Sequence, residues 1–420
     1  MTAQESSRPW TAVLVSTFLL VVVGGSVSNT YGLFAVEWVE TMNVSRGTIL
    51  LAGVLATLVA GLHGVMVGRL LASGFQERAF LCLGAISGAV AFAILAWTSS
   101  LWAFYLAYIV AGSIAISFTS QMVGQSRAVR TFVASGLPVS IVSLGMKIGA
   151  AAMPAIAAVL WSAMDLHRAL LVMACMMALC APVAWFMVPP VHRSEPKGED
   201  DAPTGPAVVV PAKQILGDPV FIGILFIAVG VMAISSAFFF NLPFLMGELG
   251  ADPAWAAYIL SIATIVSGVS TPFVGMATDR FDLRFLLMVP IVLVAIVIVS
   301  IAASPPLVVV AGTAFAMTFA NAFLFPCFPA MLRSRFGNLL FSRAIGLSQP
   351  FFYSAGLGAF FAGALRDVLG SYSAAFQVLG VFVLLAAVGW IFIHRALRGA
   401  GPRWPGLEVG AGDPLVNSAR

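Results

Sequence analysis

The feature that most limits this chain is a series of long apolar runs. They lie at residues 11–35, 48–72, 79–98, 101–125, 134–161 and 166–188, then at 218–246, 255–277, 284–303, 306–331, 343–365 and 372–395. A helix needs roughly 20 apolar residues to cross a bilayer's hydrocarbon. Backbone polar groups in that layer must be satisfied inside the element, so continuous apolar runs specify helices. A spanning barrel would show alternating strands of about ten residues instead. Only 9% of the 420 residues are charged and 60% are hydrophobic, whereas soluble domains carry about 25% charge. The lipid bilayer is therefore the solvent this chain is built for. The first run is too long for a signal-peptide core of about 7–15 residues and reads as a true span. The expectation is an all-α membrane protein with twelve transmembrane helices.

The basic residues set the topology. With the N-terminus inside, only Arg46, Arg168 and Arg366 fall on the outer side and Lys147 falls within a span, which leaves seventeen of the 21 Lys and Arg inside. Basic loops stay cytoplasmic, so both termini are expected there, and the number of spans must be even. The excess positive charge is thus a topology signal and does not imply nucleic-acid binding.

The chain divides near its middle. HRSEPKGEDDAPTGPAVVVPAK, within the segment 192–214, is charged and rich in Pro and Gly, as a cytoplasmic linker should be. The expected units are a six-helix bundle at 1–191, the linker at 192–214, a second bundle at 215–398 and a disordered cytoplasmic tail at 399–420. The halves resemble each other: VLATLVAG at 54–61 aligns with SIATIVSG at 261–268, and the same offset places Gly68 on Gly275. Each glycine opens a short basic loop, GRLLASGFQER and GMATDRFDLR. In repeat-built carriers the substrate binds near the bilayer midplane between the repeats.

These loops resemble the G-x-x-x-D-R-x-G-x-R motif of the major facilitator superfamily. The second keeps Gly275, Asp279, Arg280 and Arg284, with Asp282 at the usual second glycine. The first keeps Gly68, Gly74 and Arg78 but has an extra residue and no aspartate. The resemblance implies two pseudo-symmetric six-helix bundles and a gating role for Gly68, Arg78, Gly275, Asp279, Arg280 and Arg284. Within the superfamily, YGLFAVEWVETMNVSRGTI at 31–49 and the stretch 335–376 are similar to the monocarboxylate and oxalate/formate porter group. Animal-type members of that group carry an Asp-x-x-x-Arg pair in the eighth helix just before a proline. Here the proline is Pro272 and the pair is replaced by Ser267 and Thr271.

A charge at the bilayer centre costs about 3 kcal/mol by insertion scales and usually has a task. Lys147 lies in the middle of the fifth run, and Gly136, Ser140, Ser143 and Ala151 share its helical face. Asp and Glu are absent from the span centres, so Lys147 is expected to bind the carboxylate of an anionic substrate. The competing reading is a lysine held by carbonyls and water in a structural or gating role. His63, in the second run, is the candidate for proton coupling, with hydrogen-bonded packing as the alternative. The other polar residues expected along the cavity are Asn29, Tyr31, Ser117, Gln121, Ser143, Asn241, Ser267, Thr271, Asn321, Gln349 and Tyr353. Pro138, Pro154, Pro272, Pro326, Pro329 and Pro350 are expected to kink their helices.

Cys82, Cys175, Cys180 and Cys327 all fall in apolar runs without zinc-ligand spacing. The sequence shows no P-loop and no Ser/His/Asp grouping in its loops. The chain is therefore expected to be no enzyme, to need no cofactor, and to act as a functional monomer. The functional expectation is a secondary active or facilitative transporter of a small organic anion, by resemblance a monocarboxylate, with proton symport. An exporter of drugs or of neutral or anionic metabolites is the alternative, and a non-transporting receptor on a carrier fold is the alternative of another class. A bacterial inner membrane is the expected location.

Overall fold

The computed structural model describes residues 3–44, 46–190, 210–250, 254–303 and 306–399. Most of the expected linker and nearly all of the expected tail lie outside the described residues. The first six spans are α1 (Pro9–Ala35), α2 (Arg46–Ala72), α3 (Glu77–Trp97), α4 (Leu101–Thr131), α5 (Gly136–Ala163) and α6 (Leu166–Met187). After a short helix at Ala212–Leu216 come α7 (Pro219–Glu248), α8 (Ala254–Thr278) and α9 (Leu283–Ala302).

A helical run then extends over Leu307–Ser354, but Gly337 within it has φ 64° and ψ 178°. That backbone suits glycine and turns the chain back, dividing the run into α10 (307–336) and α11. The eleventh span, 338–369, is not one α-helix: a 3-10 turn at Ala355–Leu357 separates it from Gly358–Leu369. α12 (Tyr372–Leu397) completes the twelve.

Local sequence explains several helix starts. Asp218 accepts from the N–H groups of Val220 and Phe221 at the head of α7, with Pro219 in the first turn. Asp165 caps α6 in the same way, Asp282 caps α9 and Ser371 caps α12. Pro138 sits in the first turn of α5, where its missing N–H disrupts nothing, so it does not kink the helix as the sequence suggested.

The bundles are ordered by burial. The central helices α1 and α7 are 61% and 72% buried across their most apolar stretch, against 28% for α12. Helix α3 exposes Leu83, Ile86, Val90 and Ile94, and α9 exposes Phe285, Met288, Val292, Ile296 and Val299. These positions recur at helical spacing, which makes each stripe a lipid-facing surface. Within the halves α3 packs on α6 and α7 on α12, while the halves meet mainly along α2–α11 and α5–α8.

Candidate functional site

The head of α1, the last turns of α12 and the α2–α3, α4–α5, α8–α9 and α10–α11 turns lie at one end of the bundle, called here the basic end. Lys147 is eleven residues into α5 from Gly136 at that end, a rise of about 16 Å. It is half-buried, and its ammonium donates to Ser267 Oγ at 2.5 Å and to Thr271 Oγ1 at 2.8 Å. Both hydroxyls belong to α8, so the lysine joins the two halves at mid-membrane. Each hydroxyl spends its proton elsewhere, Ser267 on Thr318 O and Thr271 on Ser267 O. Lone pairs therefore face the ammonium, and its third N–H has no protein acceptor among the described residues.

One turn from Lys147, Ser143 accepts from Gln125 Nε2 at 3.1 Å. Gln125 and Gln121 on α4 line a small cavity with Gln349 on α11 and the rings of Phe325, Phe328 and Phe352. The α4 helix is broken beside this cavity. Ser120 is extended (φ −63°, ψ 157°), and a new helical segment starts at Gln121 and runs to Thr131. The positive end of that segment's dipole therefore lies inside the membrane. Ser117 Oγ and Gln121 Oε1 are buried with no hydrogen-bond partner among the described residues.

The remaining expected cavity residues divide. His63 meets Ser113 through Nδ1 at 3.4 Å, tying α2 to α4. Asn321 donates to Ser235 Oγ, tying α10 to α7. Asn241 bonds Ala359 O and accepts from Tyr372 Oη, joining α7, α11 and α12 inside one half. Tyr31 packs against Tyr108 at 4.3 Å between ring centres and gives its hydroxyl to Ile49 O, so it is a brace within the first half. Asn29 and Tyr353 are half-buried, with Tyr353 beside the Phe352 ring.

The basic end is closed by two seams. At the first, Gly68 of α2 lies so close to α11 that a Cβ would stand 2.5 Å from Ser342 O and 2.7 Å from Gly346 Cα. At the second, a Cβ on Gly275 of α8 would overlap Gly136 O and Ser140 Oγ of α5. The two glycines matched in the sequence thus occupy equivalent close approaches, each against a small-xxx-small pair.

Asp279 follows Gly275 and accepts from the Gly136 N–H at 3.0 Å, capping α5 from the other half. Burial pushes the Asp279 carboxyl up from its ordinary range, and that N–H and the Arg333 charge only partly offset it. Arg333 itself reaches Ser135 Oγ and Val133 O across the seam. Arg78 stacks on Trp185 and bonds Gln76 in its own half, Arg284 pairs with Asp282, and Arg280 is exposed.

Neither Glu77 nor Arg130 was singled out in the sequence analysis. Glu77 is 2% exposed and receives Arg127 at 3.1 Å and Arg130 at 3.7 Å. Arg130 then bonds Leu71 O and, across the seam, Ser342 Oγ at 2.6 Å. The only signal in the sequence was an acid within the eroded loop, beside Arg78.

With this geometry in view, the comparisons with known proteins are informative. A family model for the Major Facilitator Superfamily matches residues 16–357 and 224–415. The chain is similar to monocarboxylate transporter 13 of Bos taurus, 28% identical over 394 residues, covering 89% of this chain and 87% of that protein. The same transporter of Rattus norvegicus is 26% identical over 387 residues, covering 89% and 86%. Among solved structures, the proton:xylose symporter XylE bound to 6-bromo-6-deoxy-D-glucose superposes with a TM-score of 0.69. It is 14% identical, and the match covers 92% of this chain and 96% of that one. At that identity the match speaks for the fold alone.

Proposed function

This chain belongs to the major facilitator superfamily, and we propose that it is a secondary carrier that moves a small organic anion by alternating access. The observation that carries the reading is Lys147. It is a cation at mid-membrane, shared between the halves, held by two hydroxyls and, among the described residues, by no carboxylate. A neutral hydroxyl compensates an ammonium far less than a carboxylate does. An incoming carboxylate would complete the ion pair in a region where charge interactions are strong. The start of the second α4 segment adds positive potential from a second direction. The resemblance to monocarboxylate transporters supports a carboxylate as the substrate's charged group.

The basic end is taken as cytoplasmic, in a plasma or bacterial inner membrane, and its sealed seams correspond to the outward-facing stage of the cycle. The lysine would release Ser267 and Thr271 as it engages substrate, which couples binding to the fit between halves. His63 is assigned to proton coupling as a secondary proposal, because a titratable ring bridging α2 and α4 would respond to movement between them. Replacing His63 with Ala should flatten the pH dependence of uptake, and an unchanged profile removes this assignment.

Counterflow in proteoliposomes tests the main reading with a panel of mono- and dicarboxylates, neutral solutes and cationic dyes. Lys147→Gln should raise the half-saturating concentration of a transported carboxylate by about tenfold or more. Equal kinetics in both proteins for every anion would refute it.

A further inference from the structure

The cavity beside Lys147 carries information about the body of the substrate. It is lined by the amides of Gln121, Gln125 and Gln349 and by the rings of Phe325, Phe328 and Phe352. Phe325 and Phe328 lie 5.9 and 6.0 Å from Phe352 between ring centres, which makes a continuous aromatic wall. The amides come from α4 and α11, so both halves contribute, as a site between rocking bundles requires.

The amides are not equivalent. Gln125 is anchored to Ser143 and Gln349 to Ile345 O, each through Nε2. Gln121 Oε1 is sealed from solvent without a donor among the described residues. A buried carbonyl in that condition is destabilising unless something donates to it. The Gln125–Ser143 bond places this cavity one helical turn from Lys147. A wall of rings and an acceptor that needs a proton thus lie near the position a carboxylate on the lysine would take.

We infer that the site selects carboxylates with a bulky apolar body, aromatic or branched, that also carry a hydroxyl or N–H donor near the carboxyl group. Lactate-sized anions satisfy the lysine but leave the aromatic wall unused. This inference rests on the anion reading above and adds the class of the substrate's body to it.

The probes are 3-phenyllactate, lactate and the neutral 3-phenyllactamide, assayed by uptake and competition with the full chain in proteoliposomes. Phenyllactate should half-saturate at a concentration about tenfold or more below that of lactate, since added apolar groups in a fitted pocket discriminate on that scale. Phe352→Leu should erode this preference by about tenfold, whereas Gln121→Leu should weaken lactate and phenyllactate alike by about tenfold, since both carry the hydroxyl that donates to its carbonyl. Thermal unfolding of the purified variants beside wild type shows that they fold. Failure to take up phenyllactate, affinity no better than for lactate, a preference intact in Phe352→Leu, or both anions unaffected by Gln121→Leu would overturn the inference. If phenyllactamide competes as well as phenyllactate and Lys147→Gln changes neither, the aromatic cradle stands and the anion reading fails. If Lys147→Gln abolishes uptake but phenyllactate and lactate are equal, the anion reading stands and the cradle falls.

Discussion

The two seams that close the basic end occupy equivalent places in the two halves, yet they are built with different chemistry. At α8–α5 the loop's own carboxylate, Asp279, crosses the seam and caps the opposing helix directly. At α2–α11 the loop has no aspartate. Buried Glu77 instead gathers Arg127 and Arg130, and a guanidinium makes the crossing to Ser342. Both seams share the close approach of a glycine to a small-residue pair. The pseudo-symmetry therefore preserves backbone fit more strictly than the charges laid over it. A carboxylate at the seam itself is one solution, and a carboxylate that positions an arginine from behind is another.

The comparison breaks most severely at the glycines. Gly68→Leu and Gly275→Leu each drive a side chain into opposing backbone, where there is little room to yield. Each should hold the basic end open and cut transport by about tenfold or more, read by cysteine labelling at that end together with uptake. If only one of them does so, the seams are not equivalent.

Glu77→Gln should come next. It strips the buried carboxylate from two arginines and is expected to cost about 3 kcal/mol, a typical value for breaking a buried pair. Thermal unfolding of the purified protein measures this, and a change under about 1 kcal/mol would deny Glu77 its role. Ser342→Ala removes only one partner of Arg130 and should cost about 1 kcal/mol, read as a modest gain in labelling of the basic end.

The smallest effect is at Asp279. Its carboxyl titrates above the usual range in the sealed form because burial penalises its charge. Proton uptake therefore favours the sealed form, and the gain develops as pH falls through the raised value. Asp279→Asn keeps an acceptor for Gly136 without the buried charge. It should shift the seal by about 0.5 kcal/mol or less at neutral pH and abolish the acid-side gain. Labelling of the basic end against pH checks the sign, and a seal that loosens in acid would contradict it.

The fold was legible because hydropathy acts residue by residue along each span, and because the arginines fix which ends share a side. The interrupted eleventh span was not, since its 3-10 turn at Ala355–Leu357 follows from packing rather than from hydropathy. Lys147 stood out in the sequence as a charge in lipid. Ser267 and Thr271 were noted in the eighth helix, but their meeting with Lys147 depends on how α5 and α8 face each other. Tyr31 was misleading because a polar tip at a span end can serve packing as readily as a cavity, and here it bonds Ile49 O. Glu77 was hidden because its partners lie 50 and more residues away on α4.

Equilibrium binding of a labelled carboxylate to the purified protein, wild type beside Lys147→Gln, tests the central claim most directly. The account predicts binding weaker by about tenfold or more in the variant, with the affinity for the corresponding neutral amide unchanged. Equal carboxylate affinity in the two proteins would contradict it.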